Sequence, residues 1–518
     1  MMITTDLLLG IDIGTQGVKS IAINSYGTVI ASHYIEHNCI YPGLDRVETD
    51  MLQNWWLNPV LAVRKVLQHP SVKPDAIKGI GISGLYPAFG PTDEKGIPLA
   101  NAIIYSDNRS YKEVYEVNQK QKLQLSSEEL TPKLIWFLRN EPELAKRMTM
   151  FFDAMHFMVY KLTGEYIQDT QTTGLWGAIY ESPTASWRED VCEKFGIPIH
   201  ILPKVYPPAT IVGSVNALAA DETGLMVGTP VIAGMPDLTA SLISVGAVHQ
   251  DESCAYYGSA GLVPVLKDSL LNGVLKPYPI SEKGVTAQDG YIYDYPAYCL
   301  SVGDAVRWFR DQFGQCEIIK EELETNRKSA YWHLDQQAKL VPPGSNGLML
   351  LPYFQGQRSP WFDPFASGVY FGMTQSHTRN HLFRAILESF GYMLRHGLEE
   401  FYPQGQPIKR LVATGGGAKS PLWRQIVSDI TGLYQEYVPN AEGAIGAAYV
   451  AGIALGWYKD FETLRNEWVV VADITQPNPA AKQIYDQYFL VYRELHQALL
   501  PIFRLHHQTV ENIIKENK

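Results

Sequence analysis

The sequence predicts an α/β protein built as two structurally related halves with a cleft between them. Three observations carry this. The first forty residues alternate apolar runs with turn residues as a three-strand meander, and strand and helical patterns alternate after it. Past residue 248 a second set opens on "CAYYGSAGLVPVL", an apolar run that breaks into a small-residue turn and resumes as a strand, echoing the first turn. At 518 residues, 46% hydrophobic and 19% charged, the chain can bury more than one core. The expected division is 1–247 and 248–518.

Taken in order, "LLLGIDI", a turn over Gly14 to Gly17, "KSIAINS", a turn at Tyr26-Gly27 and "TVIASHYIE" form the meander. Helical and strand patterns then alternate through "MLQNWWLNPVLAVRKVLQ", "IKGIGISG", "PKLIWFLRNEPEL", "FFDAMHFMVYKLTG" and "GTPVIAGMPDLTASLISVG". In "GIDIGTQG" a carboxylate, Asp12, lies inside an apolar strand, where a charge is costly unless paired or bound to a metal. The glycines after it allow a tight turn whose N–H groups face an anion, with Thr15 and Gln16 as further donors. An ordinary glycine turn, with Asp12 capping local N–H groups, fits the same residues. "YYGSAG", Tyr256 to Gly261, offers the same choice between a hairpin turn and a second anion loop carrying Ser259.

In "LVATGGGAKSPLW" a strand ends at Thr414, and Ser420-Pro421 has the chemistry of an N-cap followed by a first helical residue. The glycines between them suit either a tight strand-to-helix turn or the close approach of a flat ligand. Asp237 follows a strand broken at Gly234 and Pro236, placed to cap a helix or to act as a base at a strand end. "GIGISG", Gly79 to Gly84, spells a dinucleotide fingerprint, but Pro87, Gly90 and Pro91 deny the helix that motif requires.

Composition excludes several classes. A net charge of −11 without a basic patch speaks against nucleic acid. Cys39, Cys192, Cys254, Cys299 and Cys316 are odd in number and never paired as C-x-x-C, so reduced thiols in the cytoplasm are expected. No apolar stretch reaches about 18 residues and no basic leader precedes Asp12, so no membrane association is expected.

The opening "GIDIGTQGVKS", the "GSAG" turn and "GGGAKSPLW" resemble the two phosphate loops and the adenosine loop of the sugar kinase, Hsp70 and actin superfamily. More narrowly, "GVYFGMTQSHTRNHLFRAILE", Gly368 to Glu388, is similar throughout to the C-terminal signature of the FGGY carbohydrate kinases. "DRVETDMLQNWW", "DEKGIPLANAIIYSDNR", "YKLTGEYIQDTQTTGL", "LPYFQGQRSPWFDP" and "EGAIGAAYVAGIALG" agree in order. The resemblance implies two ribonuclease H-like, actin-like ATPase domains with an interdomain catalytic cleft. The N-terminal one would hold the sugar and the catalytic base, and the C-terminal one the nucleotide. It also implies ATP and Mg2+ as cofactors and a small-molecule sugar as partner, and it is compatible with a homodimer.

Carried over residue by residue, the resemblance implies that Asp12 organises Mg2+ and that Asp237 is the catalytic base and a second metal residue. Gly14, Thr15, Gln16 and Lys19 line the phosphate site, and Gly258, Ser259 and Gly261 form the second phosphate loop. Gly415, Gly416, Gly417 and Ala418 receive adenosine, while Tyr86 and Asp107 lie on the sugar side. The expected reaction is ATP-dependent phosphorylation of a ketose such as xylulose or ribulose in carbohydrate catabolism. Another polyol or sugar acid is the alternative acceptor, and a silent ligand sensor the alternative role. The departures fall where specificity is set: Leu85, Tyr86 and Pro87 replace polar family residues, Gln357 replaces a Glu, and Leu130 fills a place normally small or hydroxylated. A chaperone or filament protein of the superfamily would lack the Gly368–Glu388 signature, and a sensor would lose Asp12 or Asp237.

Overall fold

The computed structural model describes residues 6–43, 46–123, 125–181, 186–276, 292–324, 328–361, 363–439 and 441–516. They form two compact units. The first comprises Met1–Gln250, Lys267–Ile292 and Ala441–Val469, and the second Asp251–Leu266, Tyr293–Asn440 and Val470–Lys518.

In the first unit the meander Leu7–Ile13, Gly17–Asn24 and Val29–Glu36 is antiparallel, as its turn residues require. On the other side of Leu7–Ile13 the strand Ile77–Gly84 runs parallel to it, followed by Pro230–Ile232, also parallel, and by the antiparallel edge strand Ile211–Ser214. Six of the seven residues of Leu7–Ile13 are buried, as expected of a strand covered on both faces.

The second unit repeats this order. Tyr293–Cys299, Gly261–Leu266 and Glu252–Tyr257 form an antiparallel meander; Arg410–Thr414 and Gln435–Tyr437 continue in parallel, and Asp473–Thr475 closes the edge antiparallel. The echo between "GIDIGTQG" and "YYGSAG" is therefore a shared topology, each turn joining the first two strands of its meander.

A single cut after residue 247 does not describe these units. The chain leaves the first unit at Gln250 but returns to it for Lys267–Ile292 and Ala441–Val469. The reason is the helix Gly443–Ala454, almost wholly apolar and small, which needs an equally flat surface. It finds one on Leu7–Ile13 and Ile77–Gly84, where a Cβ on Gly10 would lie 1.9 Å from the Ala444 carbonyl oxygen and one on Gly81 1.9 Å from that of Ala447. The glycines of "GIGISG" thus serve helix-on-sheet contact within a strand. No nucleotide loop begins there.

All five cysteines are free. Among the described residues no helix is long and apolar enough to cross a membrane.

Candidate active site

The carboxyl ends of parallel strands are where α/β sheets present ligand-binding groups, and both acids singled out by sequence lie there in the first unit. Asp12 is paired with Ser83 on the neighbouring strand, and its Oδ1 accepts a 2.7 Å hydrogen bond from the Ser83 hydroxyl. On the far side of Ile77–Gly84, Met235 and Pro236 pair in parallel with Ser83 and Gly84, and Asp237 begins the helix Asp237–Ser244. Gly234 makes this possible: its φ is +90°, and a Cβ there would meet the Ile82 carbonyl oxygen at 2.9 Å. Asp237 is not the cap, since Pro236 occupies that position without a side-chain hydrogen bond.

Burial and the charge of Asp12 push the Asp237 carboxyl up to about 8, against a hydrogen bond from the Leu238 N–H. Burial also pushes Asp12 up, to about 6, with Ser83 opposing it, Glu442 adding to it and Lys19 reducing it. The helix Gly443–Ala454 begins against Asp12 so closely that a Cβ on Gly443 would lie 2.7 Å from the Asp12 carboxyl carbon. Glu442, at its N-cap, accepts a hydrogen bond from the Lys19 ammonium.

The turn Gly14–Gly17 closes with Gly14 N–H donating to the Gly17 carbonyl at 2.9 Å. Its other carbonyls are held from the neighbouring strand and beyond. His37 Nε2 lies 3.0 Å from that of Gly14, the Tyr34 hydroxyl donates to that of Gln16 at 3.0 Å, and Cys39 Sγ lies 3.6 Å from that of Thr15. The Tyr105 hydroxyl is hydrogen-bonded to Thr15 and raised by burial, with Asp237 contributing.

The second unit presents its two loops in the same way, at the ends of the adjacent parallel strands Glu252–Tyr257 and Arg410–Thr414, where Tyr256 pairs with Thr414. The Ser259 carbonyl accepts from Gly303 and Asp304 N–H at 3.0 and 3.2 Å, anchoring the Gly258–Gly261 turn to the first turn of the helix Val302–Phe313. Gly415, with φ +93°, passes close to the backbone of Tyr257, and a Cβ on Gly417 would lie 2.4 Å from the Trp423 ring. Gly416 alone of the three faces open space. Ala418 is buried, and Ser420 caps the helix Pro421–Thr431 by accepting from Trp423 N–H at 3.0 Å, with Pro421 at its first position.

The residues assigned to the sugar side are placed differently from one another. Tyr86 is partly buried, but Leu85 packs into the core and is 1% exposed. Asp107 is fully buried, its carboxylate bound by Arg109 Nη2 at 2.7 Å and by Val47 N–H at 2.6 Å. The same guanidinium donates to Glu48 at 2.7 Å and lies 5.1 Å from the Trp136 ring centre. Leu130 starts the buried helix Leu130–Asn140, and Gln357 bonds His496 at 2.9 Å inside the second unit. Both departures from the family pattern are packing positions. Ser83, Tyr105, Arg109 and Glu442 received no role from sequence. Lys19 and Glu442 are 423 residues apart, a separation that leaves no local signal.

Residues 7–244 match the N-terminal domain of the FGGY family of carbohydrate kinases, and residues 265–455 its C-terminal domain. A xylulose kinase of Staphylococcus epidermidis is 26% identical over 95% of this chain and 97% of its own. A gluconokinase of Bacillus licheniformis is 28% identical over 82% and 83%. The crystal structure of a xylulose kinase from Rhodospirillum rubrum superimposes with a TM-score of 0.79 at 27% identity, covering 96% of this chain and all of that one. Family domains matched in order over most of the length, on a fold shared with a solved xylulose kinase, lead to one conclusion: the chain belongs to the FGGY family of carbohydrate kinases.

Proposed function

We propose that this carbohydrate kinase, for which the family makes ATP the co-substrate and a sugar the acceptor, phosphorylates a ketose, with D-xylulose first and ribulose second. The observation that supports the chemistry is the pair of carboxyls, Asp12 and Asp237, at strand ends on either side of Ser83. Relatives similar over nearly the full chain carry the name xylulose kinase, which supports the acceptor.

Asp237 accepts the proton of the sugar hydroxyl as that oxygen attacks the γ-phosphorus, and ADP leaves. In the ligand-free chain burial raises this carboxyl to about 8, and a cation bound beside it would lower it toward the deprotonated form that accepts the proton. Gly14, Thr15 and Gln16, with Lys19 held by Glu442, face the phosphates. Gly258, Ser259 and Gly261 form the second phosphate loop, and Gly415 to Ala418 receive adenosine, with bare Gly416 as the surface a flat base lies against. Tyr86 lies on the sugar side. Asp107 acts there by fixing Arg109, because its own oxygens are already bound.

Mg2+ fits the residues present. It takes one or two carboxylates and completes its shell with water and phosphate oxygens. Among the described residues no cluster of three or more metal-ligating side chains exists, whereas Asp12 and Asp237 supply two acids whose raised pKa values a cation would relieve. Bound there, the ion neutralises charge on the phosphoryl oxygens.

A sugar acid is the second acceptor class, favoured by the gluconokinase similarity. Against it, Arg109 is committed to Asp107 and Glu48. ADP release measured with MgATP and a panel of D-xylulose, D- and L-ribulose, glycerol and gluconate decides. The highest kcat/KM is expected on D-xylulose, and a preference for gluconate or glycerol overturns the ketose assignment.

A further inference from the structure

A buried chain of hydrogen bonds joins the loop that carries Tyr86 to the helix that carries Asp237. Ala88 N–H donates to Asp153 Oδ1 at 2.8 Å, and Gln168 Nε2 donates to Asp153 Oδ2 at 2.6 Å. The imidazole of His156 lies between Asp153 and Asp169, with Nδ1 3.4 Å from Asp153 Oδ2 and Nε2 3.0 Å from the Asp169 backbone nitrogen and 3.2 Å from its Oδ2. Asp169 Oδ1 accepts from the N–H groups of Gln171 and Thr172 at 2.8 and 3.1 Å, which fixes the backbone of Gln171. The Gln171 carboxamide then accepts from the Thr239 hydroxyl at 2.5 Å and donates to the Gly273 carbonyl at 3.1 Å. Asp153, His156, Gln168, Asp169, Gln171 and Thr239 are all at least nine-tenths buried. Hydrogen bonds in such a buried network fix geometry; of the Asp169 oxygens, Oδ1 is bound and Oδ2 is left without a hydrogen-bond partner.

We propose that Gln171 is a positioning residue for phosphoryl transfer: through Thr239 it sets the orientation of the helix Asp237–Ser244 and hence of the Asp237 carboxyl. Thr239 is two residues from Asp237 in the first turn of an eight-residue helix, so rotation or slip at Thr239 is transmitted directly to the base. The helix also packs closely on the helix Gly443–Ala454, where a Cβ on Gly446 would lie 2.0 Å from the Ala240 carbonyl oxygen, and it buries Leu242 and Ile243. Gln171 supplies a directional tether. Its other bond, to Gly273, and the clamp on its own backbone keep the carboxamide from turning away. Small misplacements of a catalytic group are costly to rate, up to about a hundredfold for 1 Å.

The inference rests on Asp237 being the base, so Asp237→Asn is measured beside the test variants. With MgATP and the panel sugar turned over fastest, Gln171→Met and Thr239→Val should each lower kcat about five- to tenfold, the range of one lost buried hydrogen bond. KM for sugar and for ATP should stay within about twofold, and the double variant should lose no more than either single one, because the two residues act through one bond. Thr239→Ser, which keeps the hydroxyl and loses the methyl, should recover most of the kcat lost in Thr239→Val while melting at lower temperature. If Gln171→Met does not fold, the two Thr239 variants decide. Melting temperature lowered with kcat unchanged, a loss confined to KM, or losses that add in the double variant would each overturn the positioning role while Asp237→Asn still abolishes turnover. Full turnover in Asp237→Asn would instead remove the base and the positioning role together.

Discussion

At the scale of single residues, the roles proposed for Asp12 and Asp237 come at a cost in stability. Their carboxyls, ordinarily near 3.8, lie at about 6 and about 8 in the folded chain. A group raised on folding holds its proton more tightly in the native state. Its stabilising contribution is complete below about pH 4 and is lost as pH rises through the folded value. The ligand-free protein should therefore lose stability between about pH 4 and pH 8 through these two groups. Asp237→Asn, which removes the buried charge at nearly constant volume, is expected to melt several degrees above the parent at pH 8.5, with the gap narrowing toward pH 5. The same variant should lose about 10²- to 10⁴-fold in sugar phosphorylation, the usual contribution of a positioned base. Thermal melts across pH without nucleotide check the first expectation, and a gap that does not vary with pH would show that Asp237 carries no buried charge.

At the scale of elements, the glycines of Leu7–Ile13 and Ile77–Gly84 decide how a helix from far along the chain seats on the sheet. Gly81→Ala places a methyl 1.9 Å from the Ala447 carbonyl oxygen, backbone that cannot turn aside, so the helix Gly443–Ala454 must lift. The expected cost is about 1–3 kcal/mol or more. ATP use should weaken as well, because Glu442 and Gly443 at the helix start lie against Lys19 and Asp12. Gly43→Ala, whose added Cβ meets nothing within 4 Å, serves as the control. Urea unfolding with equal loss in both variants would show that helix seating is not what Gly81 serves. The family signature is also largely an element-level device. Much of it lies on the helix Arg379–Phe401, where buried Glu388 accepts from Gly344 N–H at 2.9 Å, the Ser345 hydroxyl at 2.9 Å, Arg384 Nε at 2.9 Å and the Tyr485 hydroxyl at 2.8 Å. A signature of this kind reports the scaffold that carries the Gly258–Gly261 and Gly415–Ala418 loops more directly than the loops themselves.

At the scale of the whole molecule, the first unit is completed by residues that come after most of the second. Without Gly443–Ala454, the glycine-lined strands around Asp12 lose their cover and expose a continuous apolar surface. A fragment spanning 1–247 is accordingly expected to aggregate or to unfold without a cooperative transition, although it contains every strand of the first sheet. Near-UV circular dichroism and thermal melts of the purified fragment test this, and a sharp, reversible melt with native-like aromatic signal would show that the first sheet stands alone.

What was legible in the sequence was local. Glycine runs at strand ends, the Ser420-Pro421 helix start, the meander of the first forty residues and the placement of Asp12 and Asp237 follow from backbone freedom, capping and side-chain periodicity, all of which act over a few residues. Tertiary structure decided the rest. Of the neighbours Leu85 and Tyr86, the first is buried inside the core and the second packs partly exposed against the same core, a difference that tertiary packing and not the local sequence settles. Asp107 matched a family position, yet its oxygens are bound by Arg109, two residues on, and by Val47, 60 residues back, a partner no local pattern encodes. Ser83 beside Asp12, Glu442 beside Lys19 and Gln171 beside Thr239 are meetings of residues tens to hundreds of positions apart. A single sequence records composition and spacing along the chain, whereas these contacts arise when sheet register and helix seating bring distant segments together.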